Sequence, residues 1–136
     1  MKPIYQNLIV SFLLLQGSLL AHCQVPCGIY NDAARIIQIQ EDFSTIQKAM
    51  TKIKELSRQQ DATSMNQLTR WIMTKEDHAS KIQKVVSDYF LTQRIKAKTK
   101  GSEFDTYVKQ TTTLHQILVS AMKCKQTVES GHRSEE

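Results

Sequence analysis

The 136-residue sequence is poor in the residues that build tight loops and nucleotide cradles, with 4 Gly, 2 Pro, 3 Cys and a single Trp. It has no glycine-rich phosphate loop and no dinucleotide fingerprint, which removes the usual backbone sites for nucleotides. No segment repeats. Aromatic residues make up 7% of the chain and none interleaves with a basic run, so nucleic acid is not an expected partner. The longest apolar stretch, Leu8 to Leu20, is interrupted by Ser11, Gln16, Gly17 and Ser18. It falls short of the ~20 residues a membrane helix needs, so no stable membrane span is expected after its removal. Three cysteines are an odd number: two lie close together, and Cys124 stands alone as a small, half-buried helix residue.

What is present begins with a leader. Lys2 supplies a positive start, and the apolar run has the length of a signal-peptide core. Ala21 is a suitable last residue before a cut, although Leu19 is larger than the preferred residue two positions earlier. The absence of arginine argues against a mitochondrial transit peptide. Residues 1–21 are therefore expected to be cleaved. The destination is secreted, periplasmic or an organelle lumen if the leader is a signal, and cytoplasmic if it is only a propeptide. Lys and Arg number 18 against 13 Asp and Glu. With Lys2 set aside the rest of the chain carries 17 against 13, a net +4. That balance helps steer a small anion, but most of these charges read as a mixed solvated surface.

The chemistry concentrates in His22-Cys23-Gln24-Val25-Pro26-Cys27-Gly28-Ile29-Tyr30. A cut after Ala21 makes His22 the first residue and frees its amine beside an imidazole and two thiols. Pro26 fixes its φ and Gly28 permits a tight curl, so Cys23 and Cys27 can turn toward one ion. An amine nitrogen and a deprotonated Cys23 amide with two thiolates make an N2S2 plane. That geometry suits Ni(II) or Cu(II) rather than tetrahedral zinc. On composition alone, a small disulfide loop and capture of zinc or copper stay open beside it.

Over His22, Cys23, Pro26, Cys27, Gly28 and Tyr30 the chain resembles nickel superoxide dismutase, whose mature chains begin His-Cys-x-x-Pro-Cys-Gly-x-Tyr. Ser87-Asp88-Tyr89-Phe90 is a second patch similar to that family. The resemblance implies one nickel ion per chain, superoxide as substrate and a homohexamer of four-helix bundles. It implies His22, Cys23 and Cys27 as metal ligands, with the His22 imidazole axial on the oxidised metal. It implies Tyr30 and Tyr89 beside the open face of the metal. The family steadies its axial histidine with a glutamate and an arginine. Counting places Gln38 at the glutamate and Lys75 near the arginine, so Lys75 is the candidate cation. His78, His115 and His132 are expected not to be ligands.

The body reads as helix. Asn31 or Asp32 caps a first helix whose apolar stripe is Ile36, Ile39, Phe43, Ile46, Met50, Ile53 and Leu56. After a polar break at 58–61, Asp61 or Ser64 starts a second, with Met65, Leu68, Ile72, Ala79, Ile82, Val86 and Tyr89 in its stripe. Lys75 falls where that stripe wants an apolar residue, either snorkelling at an edge or turned to a site. Residues 93–101 form a basic loop or a short helical turn. Gly101-Ser102-Glu103 then punctuate the start of a third helix carrying Phe104, Tyr107, Thr111, Leu114, Leu118 and Ala121. The expected fold is all-α, an up-and-down bundle over residues 31–136 with a polar C-terminal tail, preceded by the 22–30 hook. Three long helices are evident where the resembled family has four, the third of the family being shortened or lost between Tyr89 and Ser102. Three functions follow: a superoxide-disproportionating enzyme, a nickel or copper carrier without turnover, or a secreted helical signalling protein with a Cys23–Cys27 loop.

Overall fold

The computed structural model describes residues 27–129; the leader, the hook residues 22–26 and the tail from 130 lie outside the described residues. The described chain is helical, with no strand: α1 spans Asp32–Leu56, α2 Ala62–Lys84 and α3 Phe104–Gln126. A π-wound segment, Val85–Arg94, continues α2.

The caps follow side-chain chemistry. Asn31 Oδ1 accepts the Ala34 amide at 3.0 Å and opens α1. Asp61 opens α2, its carboxylate accepting the Ser64 amide at 3.0 Å and the Ser64 hydroxyl at 2.6 Å. Those bonds hold the Asp61 carboxyl below the usual range. At the third start Gly101 takes φ +97°, a left-handed turn suited to glycine, and its carbonyl accepts the Phe104 amide. The helix then opens on Glu103 with no side-chain cap.

The chain runs up and down. Asp32 at the start of α1 meets Arg94 at the end of the π segment, so α2 returns antiparallel to α1. Lys54 near the end of α1 meets Glu129 beyond α3, so α3 runs back beside α2. The helix α2 packs on both neighbours. The core is Ile46, Met50, Ala79, Ile82, Val86 and Ala121, with Ile39, Leu91, Leu114, Ile117 and Leu118 packed against it. Ala49 and Ala79 are fully buried, small side chains that let α1 and α2 approach closely.

Two parts of the stripes fall elsewhere than expected. Ile36 and Phe43 on α1, and Met65 and Ile72 on α2, are 42–58% exposed. The physical reason is missing cover: no described helix packs over these side chains, and Phe43 borders an open groove between α1 and α3. That groove holds an apolar cavity of about 320 Å³ lined by Ile39, Phe43, Ile46, Ile82, Ile117 and Cys124, among others. The connection from Ile95 to Glu103 carries no helix, so the described bundle has three helices. None of them is long and apolar enough to cross a membrane.

Candidate metal centre

Cys27 is exposed just ahead of α1, and Gly28 after it takes φ +73°. That conformation turns the chain back on itself and strains any residue with a Cβ. Tyr30 follows, 45% exposed, and α1 starts two residues later. The root of the hook is thus fixed to the amino end of α1. His22 and Cys23 lie outside the described residues. Among the described residues no three His, Cys, Asp or Glu side chains converge as ligands. The soft donors that suit nickel stand in the hook sequence itself: the thiols of Cys23 and Cys27 beside the imidazole of His22.

The two expected tyrosines are brought together. Tyr30 and Tyr89 rings meet edge to face, centroids 6.0 Å apart at 71°, and Phe90 packs on Tyr89 at 5.0 Å. Tyr89 is buried at 2% exposure, and its hydroxyl donates to Asp32 Oδ1 at 2.6 Å. Arg94 donates to the same carboxylate through Nε at 2.8 Å and Nη2 at 2.9 Å. Its guanidinium also lies 4.5 Å from the Tyr30 ring centroid. Arg35 covers the Tyr89 ring at 5.4 Å and donates to Gln38 Oε1 at 3.1 Å.

The electrostatics follow from that clasp. Hydrogen bonds from Arg94 and then Tyr89 hold the Asp32 carboxyl below the usual range. Burial, and then the bond to Asp32, push the Tyr89 phenol above its ordinary value. Beside Tyr89 a cleft of about 210 Å³ is lined by Arg35, Gln38, Lys81, Lys84 and Asp88. Three cations against one carboxylate leave it positive, the sign that draws in a small anion.

Lys75 is elsewhere. Its side chain is 4% exposed, and Nζ donates to the Cys124 and Lys125 carbonyls at 2.7 and 2.6 Å. It also lies 3.1 Å from Glu76. Fourteen residues of helix, about 20 Å of rise, separate it from Tyr89. In this chain Lys75 neither snorkels to solvent nor joins the tyrosines, correcting both expectations. The reason is the open carboxyl end of α3, whose unpaired carbonyls attract a cation. His78 is also engaged, its Nδ1 2.6 Å from buried Asp42 in the α1–α2 interface, while His115 is exposed.

Sequence reading missed Asp32, Arg94 and Arg35. Asp32 was visible as a cap candidate, but Asn31 does the capping and leaves the aspartate for the clasp. Arg94 carried no signal, because it is five residues from Tyr89 and α-helical spacing pairs residues three or four apart.

A family model described as nickel-containing superoxide dismutase matches residues 18–135, most of the chain and all of the hook. No curated protein and no solved structure matches it. The hook's donors, the paired tyrosines and the family match agree, and the chain belongs to the nickel-containing superoxide dismutases, oxidoreductases that use nickel and act on superoxide.

Proposed function

We propose that the reaction takes place at the N-terminal hook after removal of residues 1–21, with His22 as the first residue. The His22 amine and imidazole, the Cys23 amide nitrogen and the Cys23 and Cys27 thiolates are the groups that would hold one nickel. Nickel bound there supplies a one-electron Ni(II)/Ni(III) couple, which thiolates and an amidate bring down to an accessible potential. The net reaction would convert two superoxide ions and two protons to one dioxygen and one hydrogen peroxide.

The rest is the work of the chain's own side chains. Gly28, at φ +73°, makes a tight turn directly after Cys27. Tyr30 and Tyr89 stand over the hook's root, where their rings exclude larger anions and order water. The cleft beside Tyr89, with Arg35, Lys81 and Lys84, favours a small anion close to the site. The observation that supports the reading is the meeting of Tyr89 with Tyr30, three residues along the chain from Cys27.

The active form is a homohexamer. Ile36, Ile37 and Phe43 on α1, and Met65, Ile72 and Met73 on α2, are 42–60% exposed in the single chain. So much uncovered apolar surface on a small domain suits packing against further copies. A leader that acts as a signal sends the chain to a secreted, periplasmic or lumenal location; one that is only a propeptide leaves it cytoplasmic.

The test is the free amine. A chain beginning at His22 is compared with one carrying a single extra residue ahead of it, by nickel content and by pulse-radiolysis decay of superoxide. Activity is expected only with His22 first, at equal helix content. Full activity from the extended chain would overturn the amine ligand. A wild-type chain that holds one nickel without accelerating superoxide decay would be a carrier.

A further inference from the structure

Tyr89 and Arg94 are five residues apart on one helix, yet both reach the carboxylate of Asp32. At 3.6 residues per turn, residues five apart stand about 140° apart around the axis. One of the two would then face away from Asp32. The segment that carries them is π-wound instead. The Ile95 amide bonds the Phe90 carbonyl at 2.9 Å. Two side chains follow the same spacing: the Thr92 hydroxyl and the Gln93 Nε2 donate to the Ser87 and Asp88 carbonyls, five residues back, at 2.6 and 2.8 Å. Hydrogen bonding at that spacing brings residue i+5 round to the side of residue i. The wider winding is therefore what places Arg94 on the same side as Tyr89.

Arg94 makes two kinds of contact there. Its fork engages both oxygens of Asp32, the first residue of α1. Its guanidinium carbon lies 4.5 Å over the Tyr30 ring centroid, and the same ring meets Tyr89 edge to face. Asp32 is doubly suited to receive the fork, since the amino end of a helix favours a carboxylate. The Tyr89 hydroxyl is committed to Asp32, whereas the Tyr30 hydroxyl has no hydrogen-bond partner among the described residues.

We propose that Arg94 is a positioning residue of the hook: carried to Asp32 by the π winding, it pins the amino end of α1 to the end of α2 and holds Tyr30 over the hook's root. This rests on the hook being the site of superoxide turnover. Among the described residues Arg94 contacts Asp32 and Tyr30, and it acts through them. The role needs a planar fork that both pairs and stacks, which lysine cannot supply.

The test uses the processed chain with ring-labelled tyrosine, whose NMR signals are Tyr30, Tyr89 and Tyr107, assigned with Tyr30→Phe. In the metal-free chain, Arg94→Gln is expected to move the Tyr30 and Tyr89 signals toward those of free tyrosine and leave Tyr107 in place. In the nickel-loaded chain the same variant is expected to lower kcat/KM about tenfold at unchanged nickel content. Arg94→Lys keeps the charge and is expected to recover neither the ring signals nor more than half of the turnover. Should Arg94→Gln lose its helical circular dichroism, Arg94→Lys carries the test alone. Wild-type signals and turnover in Arg94→Lys, or an unmoved Tyr30 in Arg94→Gln, would overturn the proposal. A wild-type nickel chain inactive toward superoxide would instead defeat the catalytic reading, and the metal-free spectra would still decide the positioning.

Discussion

Two cations on the same long helix each attend to the end of another helix, and they do it in opposite ways. Lys75 is buried and gives its ammonium to the last carbonyls of α3. Arg94 is partly exposed and gives its fork to the carboxylate on the first turn of α1. A buried cation facing neutral carbonyls has no water to fall back on, so its loss strands polar groups and costs stability. A surface arginine on a carboxylate adds little to stability, and what it contributes is direction. The comparison separates a side chain that holds the fold from one that aims the site.

Breaking the buried end should have the largest effect. Lys75→Ala leaves the α3 carbonyls without their donor and opens a gap, and is expected to cost about 3 kcal/mol in urea unfolding at fixed chain concentration. Any fall in superoxide turnover should follow the fraction folded. At the other end, Asp32→Asn weakens the fork and is expected to lower turnover several-fold. Its melting temperature should fall by less than that of Lys75→Ala.

The pH dependence of the clasp sharpens the contrast. The Asp32 carboxyl is depressed in the folded chain, so its contribution is present above the ordinary aspartate value of about 4. It is lost as pH falls through the lower folded value. The Tyr89 phenol is raised, so its contribution is full below the ordinary tyrosine value of about 10 and is lost as pH rises through the higher folded value. Near-ultraviolet circular dichroism from Tyr30 and Tyr89 should hold between those limits and fade outside them, before far-ultraviolet helicity does. Flat signals across both limits would mean the clasp does not order the rings.

The smallest effect concerns the cysteines, one near each end. Cys27 is exposed, whereas burial pushes the Cys124 thiol up, with Lys75 opposing in part. In the metal-free chain near neutral pH, Cys124 should alkylate with iodoacetamide about tenfold more slowly than Cys27. Equal rates would show that the carboxyl end of α3 opens readily.

Much of the scaffold was legible because periodicity and caps are local. The stripes placed Ile46, Met50, Ile53, Ala79, Ile82, Val86 and Tyr89 on buried faces, and Asn31 and Asp61 cap as their chemistry suggests. The family was legible because the hook's soft-metal residue types stand together in the sequence. Ile36, Phe43, Met65 and Ile72 carry the same pattern but stay exposed, since periodicity says which side is apolar and not what covers it. Lys75 was misplaced because counting along a chain cannot see the end of another helix. Arg94 escaped because its partner, Asp32, is 62 residues away and its link to Tyr89 depends on a change of winding.

That winding has a consequence for how the chain can change in length. Residues four apart share a face in an α-helix, so deleting Thr92 would let Tyr89 and the arginine meet Asp32 by ordinary winding. The π segment thus acts as slack: it takes up one residue without rotating what lies beyond it. Taking out two residues overdraws that slack, swinging the arginine by about 200° from its present count. In descent, this stretch can lose a single residue and keep its clasp, so a relative's equivalent arginine is to be sought by face and not by position.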